Sequence, residues 1–202
     1  MKNKNNIHEF SVWPLMIDML SSVFIIYIVQ STILSPEAFE RLQINQKRGA
    51  FLIELNEKLK IQINNQQVSL EPKFDYLKIT FSDLILFDKG EYVLKNTGKN
   101  ILGALSSLIP VKGEKDSKIS KIQVEGHTDV SKLHRTEYPK NNWELSSARA
   151  IEVVDFFISQ NRKPSLFSAN GFGQFNPVST MDIKKNRRIE IKVYFSEDSR
   201  KK

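Results

Sequence analysis

Val124-Glu125-Gly126-His127-Thr128-Asp129, then the polar loop 130–141, then Asn142-Trp143-Glu144-Leu145-Ser146-Ser147-Ala148-Arg149, spell a strand, a loop and a helix in that order. Before the loop, Lys121, Gln123 and Glu125 alternate with Ile122 and Val124. That is the two-residue period of a half-buried strand, and it predicts a strand ending near Gly126. After the loop, Leu145, Ala148, Ile151, Val154, Phe157 and Ile158 recur every three or four residues, which predicts an amphipathic helix with these side chains on its inner face. Asn142 is the expected cap of that helix, its side chain accepting from the first unpaired backbone N–H groups. Asp129 therefore stands where a strand opens into a loop, and Arg149 on the first turns of the next helix.

The pattern extends outward in both directions. Val68 and Leu70, then Tyr76, Leu77, Ile79 and Phe81, predict strands. Leu84 to Phe87 with Asp88-Lys89-Gly90 reads as a strand and turn, and Leu94, Thr97, Ile101, Leu102, Leu105 and Leu108 trace a helix ending at Pro110. A last strand is expected over Ile189 to Phe195. Strands and helices alternating in this way predict an α/β (α+β) sandwich with helices on one face of a sheet.

A chain of 202 residues has room for one ordinary domain and appendages, and 40% hydrophobic with 26% charged residues is a globular composition. No cysteine is present. Structural disulfides, thiolate metal sites, a cysteine nucleophile and a lipidated N-terminal cysteine are thereby excluded. A net charge of +7 and a pI near 9.5 suit an anionic neighbour: nucleic acid, an acidic lipid surface or a carboxylate-rich cell wall. A solvated basic surface would read the same way. Neither an internal repeat nor a low-complexity tract is visible.

Between Val12 and Leu34 the one charged residue is Asp18. At about 1.5 Å per residue this stretch reaches across a hydrocarbon core of about 30 Å. A central Asp costs about 2.5 to 3.5 kcal/mol on insertion scales, against about 0.3 to 0.6 returned by each Leu, Ile, Phe or Val. Twelve such residues from Val12 to Leu34 outweigh the Asp, so a transmembrane helix is expected, with Trp13 as interfacial anchor and Pro14 in its first turn. The stretch is too long for a cleaved signal peptide and lacks small residues at the cleavage spacing. Lys2 and Lys4 on one side face Arg41, Lys47 and Arg48 on the other, so charge counting alone leaves the orientation open. An ionisable group inside a span is a candidate for ion translocation, the alternative being a hydrogen bond between helices or a snorkel to water.

Beyond the span, Ser35-Pro36-Glu37 reads as a helix start, and Phe39, Leu42, Phe51, Leu52, Leu55 and Leu59 suggest an intermittent amphipathic helix to about Lys60. Ile61 to Gln67 reads as a polar turn region. The expected organisation is thus a terminus at 1–11, a span at 12–34, a helical linker at 35–67 and a folded domain at 68–202.

Gly-His-Thr-Asp at 126–129, Asn-Trp-Glu-Leu-Ser-Ser-Ala-Arg-Ala at 142–150, Gly171-Phe172-Gly173 with Asn176-Pro177-Val178, and Asn186-Arg187-Arg188-Ile189-Glu190-Ile191 are together similar to the successive signatures of the OmpA-like peptidoglycan-binding domain. The 142–146 wording is nearest to its MotB branch. The resemblance implies a mixed sheet, a C-terminal domain in the periplasm and an N-terminus in the cytoplasm of a bacterial inner-membrane protein. In stator subunits of this kind the membrane Asp carries the driving ion, a role that here falls to Asp18. One span cannot enclose an ion path, so a homodimer and a MotA- or ZorA-like multi-span partner are implied. Residues 35–60 would then correspond to the stator plug, or to a plain linker. The short spacing between span and domain resembles the B subunit of Zorya anti-phage defence motors more than a flagellar stator; a passive wall tether is the third alternative.

The ligand implied by the resemblance is the diaminopimelate of a peptidoglycan stem peptide, with an amine for Asp129 and a carboxylate for the planar fork of Arg149. Thr128, Asn142, Leu145, Arg187 and Asp88 match positions around that pocket. An internal Asp129–Arg149 salt bridge is the structural alternative. The loop 130–141 departs from the family by its length and by Lys132, His134, Arg135 and Lys140, and Phe172 and Gln174 stand where Tyr and Glu are usual. A zinc triad of His127, Asp129 and His134 competes, but its spacing is irregular and no nucleophile and base pair accompanies it. Neither an enzyme, a cofactor nor nucleic-acid binding is expected, the last for want of a recognition motif.

Overall fold

The computed structural model describes residues 12–33, 35–114, 119–133 and 136–195. The expectations placed on residues 1–11, Leu34, His134 and Arg135 lie outside the described residues. By its contacts the chain forms two compact units, Met1–Gln43 and Ile44–Lys202.

In the first unit α1 (Trp13–Ile33) is a helix whose described side chains are all exposed. Over Trp13–Thr32 it is long and apolar enough to cross a membrane. The hydroxyls of Ser21 and Ser22 donate to the backbone carbonyl of Asp18 at 2.9 and 2.8 Å. Such back-bonding hides two polar groups against the helix itself, which an apolar surrounding favours. α2 (Pro36–Lys58) follows, with Ser35 Oγ accepting from Ala38 N as the sequence predicts.

The folded unit opens at Ile44, within α2, and not at Val68. The reason is packing: Leu55 and Leu59 are 0% and 1% exposed and belong to the main core. Arg48 donates to the carbonyls of Lys73 and Phe74. The expected turn region at 61–67 is instead helical at first, as α3 (Lys60–Asn64), and stops where Gln66 adopts φ 58°. A left-handed residue after the last turn is a common helix end.

Five strands form one mixed sheet: β1 (Val68–Pro72), β2 (Tyr76–Ser82), β3 (Ile119–His127), β4 (Phe167–Gly171) and β5 (Arg188–Phe195), in the order β1-β2-β5-β3-β4. All neighbours are antiparallel except β3 and β4, which run parallel. Alternation decides the faces. Leu77, Ile79, Phe81, Ile122, Val124, Ile189, Ile191 and Val193 point inward and are buried, whereas Lys78, Thr80, Lys121, Gln123, Lys192 and Tyr194 point to the other, open face. The inner face is covered by α5 (Asn96–Ser106), through Ile101, Leu102 and Leu105, and by α6 (Asn142–Ser159).

Three further expectations are corrected. Leu84 to Phe87 is not a strand: α4 (Asp83–Leu86) is one helical turn, and Phe87 makes a single bridge to Leu94. β4 went unpredicted because it is an edge strand whose five residues are all half-exposed, so it shows no alternation. The inner face of α6 is only partly the apolar stripe: Leu145, Ala148 and Phe157 are buried as expected, but Ile151 and Ile158 are exposed, and Ser146, Arg149, Ala150 and Val153 are buried beside the first three. The helix starts close against the sheet at Ser146 and Ser147, and one turn on the long Arg149 side chain is buried with it. A methyl group on Gly126 would fall 2.0 Å from the Ser146 carbonyl oxygen, and one on Gly171 2.1 Å from Ser147 Oγ. These glycines are chosen for approach, not for backbone freedom.

Candidate functional site

The close seat of α6 brings its first two turns over the ends of β3 and β4. Its cap is Asn141 rather than Asn142: Asn141 Oδ1 accepts from Glu144 N at 2.9 Å, and Glu144 reaches back to Lys140 N at 2.7 Å and to the Asn141 amide at 3.1 Å. The cap thus sits one residue earlier than the sequence reading placed it, and Glu144 ties it to the residue before. Asn142 is thereby released for the loop. Its Nδ2 lies within bonding distance of the Asp129 carbonyl (3.1 Å), the Ser131 carbonyl (3.0 Å) and Gln174 Oε1 (2.8 Å), tying the two loops that flank the helix start.

Beneath lies a cluster of four charges. Arg149 is 1% exposed, with Nη1 3.0 Å from Asp83 Oδ1, Nε donating to the Glu91 carbonyl at 2.8 Å, and its guanidinium over the Phe87 ring. Arg187 Nη1 donates to Asp129 Oδ2 at 2.6 Å, and the other oxygen, Oδ1, accepts from Ser131 N at 2.9 Å. Arg187 Nε, buried and without a hydrogen-bond partner, lies 3.9 Å from Asp83 Oδ2 and links the two pairs. The Arg187 side chain is 22% exposed, the largest opening in the cluster.

The electrostatics separate the two carboxylates. Burial pushes the Asp83 carboxyl up, and the neighbouring Arg149 and Arg187 only partly pull it back. Burial acts on Asp129 in the same sense, but the Arg187 and Ser131 hydrogen bonds prevail and hold it below the usual carboxylate range. Burial pulls Arg149 below its ordinary value against the charge of Asp83, yet a guanidinium stays charged at any working pH.

The sequence-predicted residues thus divide. Asp129, Arg149 and Arg187 come together, but Asp129 faces Arg187, and the partner of Arg149 is Asp83. The Asp129–Arg149 salt bridge weighed as an alternative does not form. Thr128 is buried beside them, its N donating to the Gly173 carbonyl at 2.9 Å and its hydroxyl oxygen without a partner. Leu145 is buried on α6. The Asp88 carboxylate is 74% exposed and 3.6 Å from Lys95, so its side chain stands outside the cluster, while its carbonyl lies 3.5 Å from Arg149 Nη2.

Asp83 escaped the sequence reading. Its signal was an acidic residue set among Phe81, Leu84, Ile85 and Leu86, since a carboxylate in an apolar run needs a buried cation. Ser146 also escaped; its Oγ accepts from Gly173 N at 2.9 Å and fixes the later turn on α6.

His127 does not join Asp129. It lies on the open face under Phe172, ring centroids 5.1 Å apart, with both nitrogens buried and without hydrogen bonds. Glu125 and Glu190 approach it closely enough that the three could offer ligand atoms within 4.8 Å of one another. Those carboxylates already hold cations: Lys192 on Glu125 at 2.7 Å and Arg188 on Glu190 at 2.6 Å. The cluster is charge-balanced as it stands, and His134, the third member of the triad with His127 and Asp129, lies outside the described residues.

The OmpA family matches residues 86–190. Uncharacterized protein YtxE of Bacillus subtilis is 34% identical over 120 residues, covering 57% of this chain and 47% of that protein. Motility protein B of the same organism is 28% identical over 143 residues, covering 68% of this chain and 51% of that protein. The chain spans about half the length of these relatives. Among solved structures, the cell wall anchor of the T6SS from Pseudomonas aeruginosa superposes with a TM-score of 0.61 and 28% identity, covering 70% of this chain and 97% of that one.

Proposed function

This chain belongs to the OmpA family, and from that premise we propose that it is the peptidoglycan-anchored B subunit of an ion-driven stator-type complex of a bacterial inner membrane. The end group of a diaminopimelate carries an ammonium beside a carboxylate. On binding, the ammonium takes the place of Arg187 on Asp129, and the carboxylate takes the place of Asp129 on Arg187, with the fixed charge of Arg149 behind. Each ion exchanges one partner for another of the same sign, so no charge is left buried and unpaired. Thr128, Asn142 and Leu145 shape the rim. The observation that supports this most is the Asp129–Arg187 contact itself, an exchangeable pair at the end of β3 with its cation partly open to solvent. In a muropeptide pull-down the native chain is expected to be retained and Asp129→Ala lost; equal retention would refute the site.

The same proposal puts α1 across the membrane with the folded unit in the periplasm. Asp18 then carries a proton, in a homodimer surrounded by a MotA- or ZorA-like multi-span subunit. Between the motor roles we favour anti-phage defence of the Zorya type over flagellar rotation, because the folded unit begins at Ile44, soon after α1 ends at Ile33. A passive wall tether is the second reading, supported by the likeness to a cell wall anchor. Asp18→Asn separates them. Lost phage protection or motility, with normal membrane level and wall binding, marks an ion carrier; full activity would leave the tether.

A further inference from the structure

Two aromatic rings stand open next to the charge cluster. Trp143, in the first turn of α6, is 51% exposed, and Phe175 is 60% exposed. They stack with centroids 5.1 Å apart and planes within 25° of each other. Each ring thus covers one face of the other and leaves its outer side to solvent, with the turn at Gly173 beside both: a methyl group on that residue would meet both rings at 3.5 Å. Gly173 adopts φ 55°, where a side chain would be strained in any case, so the turn that lifts Phe175 against Trp143 depends on this residue.

The surface is tied to Asp129 by short steps. Thr128 N donates to the Gly173 carbonyl, and Asn142, the residue before Trp143, bonds both the Asp129 carbonyl and Gln174. The rings and the carboxylate are therefore held in one rigid frame. Phe172, in the same turn, has a different task, since it covers His127 on the open sheet face.

We propose that the Trp143–Phe175 surface is a sugar subsite, on which an N-acetylhexosamine ring of the glycan strand lies while its stem peptide enters the Asp129–Arg187 site. The inference rests on the wall-binding reading and names a second part of the same ligand. The chemistry suits a pyranose: its C–H bonds carry slight positive charge, and the face of an aromatic ring is its negative side. Exposed and apolar, the outer ring face of the stack meets one face of the sugar while the hydroxyls stay in water. The ligand sets the spacing such a subsite requires. Two peptide residues separate the sugar from a diaminopimelate, and at about 3.3 to 3.6 Å per residue they span about 7 Å.

The test uses the full chain in detergent micelles and two probes, the free tripeptide Ala-Glu-diaminopimelate and the same peptide on its disaccharide, titrated by calorimetry. The native chain is expected to bind the disaccharide-peptide about tenfold more tightly, a difference of about 1.4 kcal/mol. The Trp143→Ala/Phe175→Ala double variant is expected to bind both probes with the affinity of the free peptide, and Trp143→Phe to keep most of the preference. Equal native affinities, or a preference that survives the double variant, overturn the sugar subsite and leave the peptide site standing. No binding of either probe to the native chain overturns both. Should the double variant not fold, Trp13→Phe leaves Trp143 as the single tryptophan; its emission is expected to shift with disaccharide-peptide and not with free peptide, and an unshifted spectrum overturns the subsite.

Discussion

Asp83 with Arg149 and Asp129 with Arg187 are the same pair of residue types, one cluster apart, and they do different things. Both members of the first pair are at most 3% exposed, and the guanidinium is engaged by Asp83, a backbone carbonyl and an aromatic face. In the second the guanidinium is 22% exposed and has a buried nitrogen without a hydrogen bond. Enclosure makes the inner pair scaffold, because neither ion can leave without stranding the other. The outer pair is open enough for the partner exchange proposed above. Burial, rather than residue type, tells a charge that holds the fold from one that is available to a ligand.

The largest expected effect falls on the inner pair. Arg149→Met strands Asp83 and should lower stability by about 3 to 5 kcal/mol in urea unfolding. Adding Asp83→Leu should restore most of that loss, since a buried pair replaced by apolar groups is often neutral. A double variant no more stable than Arg149→Met would show that the cluster acts as a unit and break the comparison.

Asp129→Asn should cost less, about 1 kcal/mol, because Arg187 can turn to water. Its binding loss should be complete while its fold persists. A variant as unstable as Arg149→Met would move Asp129 into the scaffold.

The smallest effect lies in the pH profile. The folded carboxyl of Asp129 is held below its unfolded value of about 3.9, so its contribution is complete above that pH and is lost as pH falls through the lower folded value. Glu125, likewise lowered, although burial opposes the His127 and Lys192 contacts, adds in the same direction. Asp83 is raised, so the native state takes up a proton first, and its contribution improves as pH falls from the raised value towards about 3.9. Asp129→Asn should therefore flatten the acid limb of stability below about pH 4. An unchanged limb would contradict the assignment of the outer carboxylate.

Much of the fold was legible because its inner strands alternate cleanly: Leu77, Ile79 and Phe81 on β2 and Ile122 and Val124 on β3 all turned out to be core. Legibility failed where a local rule yielded to a tertiary one. α6 showed an apolar stripe through Ile151 and Ile158, yet those two are exposed, while Ser146, set close against Gly126 and Gly171, and Arg149, paired with Asp83, are buried. The site was half legible for a related reason. Asp129, Arg149 and Arg187 stand in recognisable motifs, but which acid faces which base is a matter of distance between α4, the end of β3, α6 and the turn before β5. Asp83, just ahead of a run that read as a strand and turn, gave little sign that it would hold Arg149.

The folded unit starts inside α2, and that has a mechanical consequence. Tension arriving along this helix does not meet a slack tether. It reaches Leu55 and Leu59, which are packed into the core, and beyond them β1, joined lengthwise to β2 from Val68 to Pro72. Interlocked side chains must slide out of their sockets before the strand is loaded, so the resistance to pulling is a rate set by the unfolding barrier of the whole unit. If the chain is fixed to a wall at one end and to a motor at the other, as proposed above, this is the grip at the point where the load enters.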